Sequence, residues 1–315
     1  KLLDLKQSQV AVCSTGVIGL PMPMVRIEPK LSDLVTGLKR KEGTAVAQAI
    51  MTSDTCHKEI SVSLTIAGKK VKIGACAKGA GMINPHMATM LCFITTDAKL
   101  TKEALSAFVS QSVETSFNRI TIDGDMSTND SVIMLANGAC GGKAIRRGTA
   151  DAKKFQESLD YVMLEMAKSL VRDGERVTKF VTVNVKGAKS YNDAKKVAEA
   201  VANSSLVKCS WNGNDPNWGR IIHAVGYSKA MVKEELIDIH IGGLAACLGG
   251  LEANVSMDAL RKKVAADTFT IEINLNLCEG EYTIYSSDLS PEYVDFNRSE
   301  YAYWKQARKD GLTKQ

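Results

Sequence analysis

The stretch from Lys78 to Ala98, KGAGMINPHMATMLCFITTDA, joins a loop to a strand in a way that could expose one reactive side chain. Its first half is rich in glycine, asparagine and proline, which favour loops. The apolar run from Met90 to Ile94 has the length of a buried strand. Thr89 lies where the two meet. A hydroxyl on such a rigid junction is a candidate nucleophile, although the spacing alone is more typical of an ordinary loop-strand junction.

Six motifs in a fixed order resemble one enzyme family, the ornithine acetyltransferases or glutamate N-acetyltransferases of arginine biosynthesis. That family carries a KG[SA]GMI.P.MATML pattern leading into FI.TDA, which the stretch at Lys78 matches closely. The resemblance covers nearly the whole chain. Its other motifs are STGVIG at 14–19, AIMTSDT at 49–55, SFNRITIDGDMSTND at 116–130, VRDGERVTKF at 171–180 and NDPNWGRI at 214–221.

The resemblance implies self-cleavage between Ala88 and Thr89, with Thr89 as the nucleophile of the mature enzyme. Cleavage would free the α-amino group of Thr89, whose usual pKa of about 8 suits a general base. Thr89 would then take an acetyl group from N2-acetylornithine and pass it to glutamate. The resemblance also implies an assembly of two α and two β chains. No nucleotide cofactor is expected, although acetyl-CoA stays open as a second acetyl donor.

Thr15 and Gly16 follow an apolar run, Val10 to Cys13, that predicts a buried strand. A strand ending in Thr-Gly is by itself a common turn. The resemblance implies that this pair forms the oxyanion hole. A threonine hydroxyl and a glycine N–H are suitable donors for that purpose.

The resemblance places further substrate contacts at Thr52, Lys78, Glu175 and Asn297, and Thr89 also contacts the substrate. Thr55 is an alternative to Thr52 within the same motif. A lysine cation near an amino-acid substrate is a sensible partner for its carboxylate.

Two departures from the family pattern affect these assignments. The family usually has glycine-alanine after the glutamate, whereas this chain has Arg176-Val177. The family also ends with a second hydroxyl contact soon after the asparagine, and this chain has no hydroxyl residue at the expected offset.

Two other readings of the chain stay open. A related self-processing hydrolase, such as an aminopeptidase, would use the same nucleophile with water as acceptor. A truncated, inactive homologue is the second alternative, because the chain begins close to its STGVIG motif and carries His86 where the family often has asparagine. Recovery of acetylglutamate would separate the transferase from the hydrolase.

Composition excludes several classes of function. The formal charge of +5 comes from 40 basic and 35 acidic residues that are mostly interspersed, which argues against nucleic-acid binding. No apolar run reaches the roughly 18 residues of a membrane helix. Four histidines without ligand spacing predict no metal site. Eight scattered cysteines favour reduced thiols. We expect a cytoplasmic protein in a bacterium, or one of the mitochondrial matrix or plastid in a eukaryote.

Alternating strand and helix patterns predict a mixed α/β fold. A hairpin is expected from Glu59 to Ala77, and amphipathic helices at Thr101 to Phe117 and Phe155 to Val171. The resemblance adds a layered α-β-β-α sandwich with a smaller C-terminal α/β lobe from about residue 180. Cleavage would divide the chain into residues 1–88 and 89–315.

Overall fold

The computed structural model describes residues 2–39, 41–84, 90–298, 300–309 and 311. Within them the strands are β1 (Lys58–Ile66), β2 (Lys69–Lys78), β3 (Leu91–Thr96), β4 (Ser131–Ala136), β5 (Phe180–Ala188), β6 (Asp238–Ile241), β7 (Leu244–Leu248), β8 (Leu251–Glu252), β9 (Thr268–Asn274) and β10 (Gly280–Ser287). The helices are α1 (Met24–Ile27), α2 (Leu31–Thr36), α3 (Gly43–Ala49), α4 (Lys102–Thr115), α5 (Ala150–Arg172), α6 (Tyr191–Ala202), α7 (Ser205–Asn212), α8 (Trp218–Tyr227), α9 (Met257–Val264), α10 (Pro291–Asn297) and α11 (Glu300–Lys309).

The first sheet has the strand order β1-β2-β3-β4. Strands β1 and β2 form the predicted hairpin, which turns at Ala67 and Gly68 with a positive φ at both residues. Strand β3 runs antiparallel to β2 and parallel to β4. Lys78, the last residue of β2, is therefore paired with Leu91, the first residue of β3.

Helices α4 and α5 cover one face of this sheet. Each helix has a threonine at its N-cap, Thr101 for α4 and Thr149 for α5. The hydroxyl of this threonine accepts the N–H of the residue three positions later, Ala104 or Ala152. The apolar side chains of α5 repeat at helical spacing and pack on β1 and β2. The two predicted helices of this region are confirmed.

The second sheet has the order β10-β5-β9-β6-β7-β8 and is also mixed, since β5 and β9 are parallel and its other pairs are antiparallel. Helix α6 packs on β5 and β10, and α8 packs on α6. On the other side of the same strands, Arg172 and Lys168 of α5 lie over the rings of Phe180 and Tyr285. Helix α5 thus contacts both sheets.

The buried apolar residues form two cores. One core contains residues of the first sheet, α4 and α5, and ends at Phe180. The other begins at Val181 and contains the second sheet with α6 to α9. The predicted mixed α/β fold, with sheets and helices in layers and a C-terminal α/β lobe, is confirmed.

The N-terminal part of the chain differs from the prediction. Residues 10–13 belong to no strand of the described chain, and the side chain of Val12 is 84% exposed. The apolar run has no neighbouring strand to pair with there, and an unpaired strand is not stable alone. The prediction of a buried strand from Val10 to Cys13 was wrong.

No helix of the described residues combines the length and the apolar composition that crossing a membrane requires.

The central position of α5 leads to a stability prediction. Replacing the fully buried Leu159 by alanine should lower the free energy of unfolding by about 3 kcal/mol, because the sheet and helices cannot collapse into the space left. Urea denaturation measures this loss. Tyr161 lies on the same helix with 55% of its side chain exposed, so Tyr161→Ala should change the free energy by less than about 0.5 kcal/mol. Equal losses in the two variants would contradict the packing described.

Candidate functional site

A cleft of about 320 Å³ opens at the end of β2, where the two parts of the fold meet. Its walls come from distant segments of the chain. The lining residues are Thr15, Thr52, Ser53, Lys78, Gly79, Ala80, Gly81, Met82, Asp123, Asp125, Glu175, Tyr293 and Asn297. Three larger cavities, of about 550 to 660 Å³, contain none of the predicted site residues.

Five predicted residues therefore line one cleft: Thr15, Thr52, Lys78, Glu175 and Asn297. Gly16 follows Thr15 in the chain without lining the cleft itself. Ala88 and Thr89 lie outside the described residues. The roles given to all of these residues remain predictions.

The hydroxyl oxygen of Thr15 is buried and has no hydrogen-bond partner among the described residues. A buried hydroxyl without a partner is unfavourable, so it is a group that a ligand could satisfy. Thr55, the alternative to Thr52, does not line the cleft. Its backbone N–H and its hydroxyl both donate to the carboxylate of Asp173.

Lys78 is only 1% exposed, and its ammonium forms no hydrogen bond to another described residue. Burial lowers its pKa, and the carboxylates of Asp54 and Asp130 oppose that effect. A buried cation beside a cleft favours an anionic ligand. Antiparallel pairing places this lysine beside Leu91, two residues after Thr89.

Two carboxylates hold the loop that follows Lys78. Asp54 accepts the N–H of Gly79 at 2.8 Å. Asp123 accepts the N–H groups of Met82 and Ile83 at 2.6 and 3.0 Å. Burial raises the pKa of Asp123, and these N–H groups oppose the rise.

Asp130 has the corresponding role at the start of β3. Its Oδ1 accepts the N–H of Met90 at 2.7 Å, and its Oδ2 is buried without a hydrogen-bond partner among the described residues. Burial raises the pKa of Asp130 to about 6, whereas the Met90 N–H and the Lys78 ammonium favour the ionised form. Because Met90 directly follows Thr89, this contact fixes the chain on one side of the predicted cleavage point.

Glu175 is positioned by the turn that ends α5. Its N–H donates to the carbonyl of Ala80 at 2.7 Å, and its carboxylate accepts the amide of Asn297 at 3.2 Å. Gly81 lies against this carboxyl group, since a Cβ at Gly81 would be 2.6 Å from Glu175 Cδ. The absence of a side chain at Gly81 therefore leaves room for the glutamate.

Arg176, which replaces the family's usual glycine, has a φ of +57°. Glycine adopts this conformation readily and other residues do so at a cost. Two contacts stabilise the turn here: the guanidinium lies 4.9 Å from the ring centre of Phe296, and the arginine carbonyl accepts the hydroxyl of Ser290 at 2.7 Å. Arg176 therefore keeps a positive φ, which glycine would adopt more readily, and the turn accommodates this departure from the family pattern.

Tyr293 is a lining residue that the sequence analysis missed, and it lies beside Asp123 in the cleft. The hydroxyl of Tyr293 donates to Asp123 Oδ2 at 3.3 Å, and burial raises the pKa of the tyrosine. Tyr293 precedes Asn297 by four residues on α10, so the two side chains share a face of that helix. That spacing is the signal that could have identified the tyrosine.

Comparisons with known proteins agree on one family. A model of the ArgJ family matches residues 1–302. The chain is 46% identical over 296 residues to the arginine biosynthesis bifunctional protein ArgJ of Geobacter sulfurreducens, covering 92% of this chain and 74% of that protein. It is 41% identical over 303 residues to the arginine biosynthesis bifunctional protein ArgJ 1 of Clostridium acetobutylicum, covering 95% of this chain and 74% of that protein.

A crystal structure of the arginine biosynthesis bifunctional protein ArgJ from Bacillus halodurans has a similar fold. It superposes with a TM-score of 0.63 at 35% sequence identity, covering 65% of this chain and 96% of that chain.

The raised pKa of Asp130 predicts a pH-dependent difference between the protein and Asp130→Asn. Asp130 binds its proton more tightly in the folded protein than in the unfolded chain. Its favourable contribution to the free energy of unfolding is therefore complete below about pH 4 and is lost as the pH rises through about 6. Asparagine does not titrate. We therefore expect the urea midpoint of Asp130→Asn to rise relative to that of the wild type between pH 4 and pH 7. A difference that is independent of pH would contradict burial as the cause.

Proposed function

Because the chain belongs to the ArgJ family, we propose that it transfers the acetyl group of N2-acetylornithine to glutamate. The family makes it an acetyltransferase of arginine biosynthesis. The observation that carries the finer proposal is the cleft at the end of β2, because five residues chosen from the sequence line it together.

The charges of the cleft suit amino-acid substrates. The buried Lys78 offers a cation to a substrate carboxylate. Glu175 and Asp125 on the cleft wall offer anions to an ammonium group, which N2-acetylornithine carries on its side chain and glutamate carries at its α-carbon. Thr52 and Asn297 would add neutral hydrogen bonds. A volume of about 320 Å³ is adequate for one amino acid at a time, which fits a reaction in which ornithine leaves before glutamate enters.

Self-processing would come first. The Thr89 hydroxyl attacks the carbonyl carbon of Ala88, the peptide bond to the Thr89 nitrogen breaks, and the resulting ester is hydrolysed by water. The products are a carboxylate at Ala88 and a free α-amino group at Thr89. The chain is thereby divided into residues 1–88 and 89–315.

Acetyl transfer would then use the two groups of Thr89. Its α-amino group takes the proton of its own hydroxyl as the oxygen attacks the acetyl carbonyl, and ornithine leaves with a proton on its nitrogen. In the second half-reaction the amine of glutamate attacks the acetyl-threonine ester, the bond from the acetyl carbon to the Thr89 oxygen breaks, and the proton lost by the amine returns to that oxygen, which gives N-acetylglutamate and the free hydroxyl. Thr15 and the Gly16 N–H would stabilise both oxyanions, and each donor lowers such a barrier by about 3 kcal/mol. The unpartnered hydroxyl of Thr15 supports this role.

The word "bifunctional" in the names of both relatives supports a second activity. We propose acetyl-CoA as an alternative donor to the same threonine, with no other cofactor. We further propose an assembly of two α and two β chains. The family assignment favours transfer over the hydrolase and the inactive alternatives.

The nucleophile is tested by Thr89→Ala. Without the hydroxyl, neither the acyl shift nor the acetyl ester can form, so cleavage and transfer should both be lost. Intact mass under denaturing conditions, before and after exposure to N2-acetylornithine, measures both steps. The wild type should give two fragments split before Thr89, with one acetyl group on the larger. Thr89→Ser, which keeps a hydroxyl, should still be cleaved. Acetyl transfer by Thr89→Ala would refute the proposal.

The contact of Gly81 with Glu175 gives a second test. In Gly81→Ala the new methyl group should displace the glutamate carboxyl from the cleft wall, since the three atoms nearest to the new Cβ all belong to that flexible side chain. We expect the KM for N2-acetylornithine to rise about tenfold, as for the loss of one charged contact of about 1.4 kcal/mol. Gly226→Ala is the matched control, because a Cβ there meets nothing within 4 Å. An unchanged KM in a folded Gly81→Ala would argue against Glu175 as a substrate contact.

A further inference from the structure

Lys58, the first residue of β1, is a buried cation that no step of the reaction uses. It is 3% exposed. Its ammonium donates to Asp54 Oδ1 at 2.7 Å, to Asp173 Oδ2 at 2.5 Å and to the carbonyl of Cys56 at 3.2 Å. We call Lys58, Asp54 and Asp173 the buried ion cluster.

Asp54 connects this cluster to two segments of the cleft. One carboxylate oxygen accepts the N–H of Thr52 at 3.0 Å, and the other accepts the N–H of Gly79 at 2.8 Å. Both Thr52 and Gly79 line the cleft, and Gly79 follows Lys78 directly. Burial alone would raise the pKa of Asp54, but the Gly79 N–H, the Lys58 ammonium and the Thr52 N–H outweigh it and lower the pKa.

Asp173 connects the cluster to the third segment. It lies two residues before Glu175, in the turn that ends α5, and accepts the backbone N–H groups of Thr55 and Cys56 at 3.1 and 3.4 Å. The turn is tightly packed, because a Cβ on Gly174 would lie 2.9 Å from Val177. A displacement of Asp173 would therefore be passed on to Glu175.

We propose that Lys58 is a positioning residue for acetyl transfer, which joins the Thr52, Gly79 and Glu175 segments into one fixed arrangement through Asp54 and Asp173. The expected effect on KM rests on the proposed function, whereas the connection of the three segments through the buried ion cluster does not. Lys58 touches no cleft surface and is not a catalytic residue. A buried ion pair is weak as a source of stability, since replacing all of its members by apolar residues of similar volume is often neutral, whereas removing one partner alone is destabilising. Its value here is geometric, because Asp54 also holds the backbone of two cleft residues and Asp173 lies two residues before Glu175 while holding the backbone of Thr55 and Cys56.

Lys58→Met tests the proposal by removing the charge while keeping most of the volume. Gln156→Met is the matched control: Gln156 is also buried and donates to Phe108, Ser112 and Asp160, none of which lines the cleft. At a temperature where both variants are folded, Lys58→Met should raise the KM for N2-acetylornithine and for glutamate about tenfold. Its kcat should stay within threefold, and its cleavage should go to completion. Gln156→Met should leave both KM values within twofold.

Backbone hydrogen exchange gives a readout that needs no substrate. In Lys58→Met, peptides covering residues 52–56, 78–84 and 173–177 should exchange at least tenfold faster together, while β5 and β9 are unchanged. If the wild type transfers no acetyl group, the proposed function fails, and the exchange result still decides whether the linkage exists.

Asp173→Asn serves if Lys58→Met does not fold, because it keeps the shape and removes only the charge. It should produce the same changes with a smaller KM increase. Acceleration confined to one segment, or an equal KM increase in Gln156→Met, would overturn the proposal. An unchanged KM in folded, active Lys58→Met would overturn it as well.

Discussion

Backbone N–H groups on both sides of the predicted cleavage point are held by buried or half-buried carboxylates, and the geometry of the cleft depends on this constraint. Asp54 holds Gly79, Asp123 holds Met82 and Ile83, and Asp130 holds Met90. A carboxylate that accepts several N–H groups fixes a loop strongly, because leaving any of these buried groups unpaired is costly. Such anchors matter because the pairing of β2 with β3 ends at the pair of Lys78 with Leu91.

One of these carboxylates, that of Asp123, also connects the two cores of the protein. Asp123 accepts the hydroxyl of Tyr293, which follows the second sheet, while its other bonds hold a loop that leaves the first sheet. Asn203 at the end of α6 adds a polar bridge by bonding both Thr121 and Asn84. The contacts between the cores are thus partly polar and lie beside the cleft. Glu175 and Asn297 line the cleft together with Gly79 and Gly81, so the cleft belongs to neither core alone.

Local sequence patterns sufficed to predict the main helices and the hairpin, but they did not predict which distant residues contact one another. The β1–β2 hairpin and helices α4 and α5 follow from periodicity and caps within a few residues. The run from Val10 to Cys13 has the composition of a strand, yet composition cannot supply a neighbouring strand to pair with. Asp173 lies 115 residues from Lys58, and Tyr293 lies 170 from Asp123. No local signal indicates such pairs, so the motifs located the cleft residues while their supports were missed.

The charges around Lys78 explain why a buried lysine is tolerable there. Asp54 and Asp130 both favour its ammonium, but Asp54 is already bonded to Lys58 and two N–H groups, and burial disfavours an ionised Asp130. The cation is therefore stabilised by charges at a distance and not by a direct bond within the described residues. Such an arrangement keeps its hydrogen bonds unused for a ligand. A direct ion pair would have stabilised the ammonium of Lys78 more, but it would also have left Lys78 less able to bind the carboxylate of a substrate. Because Asp54 and Asp130 bond backbone N–H groups and not Lys78, they leave the cation available for an anionic substrate.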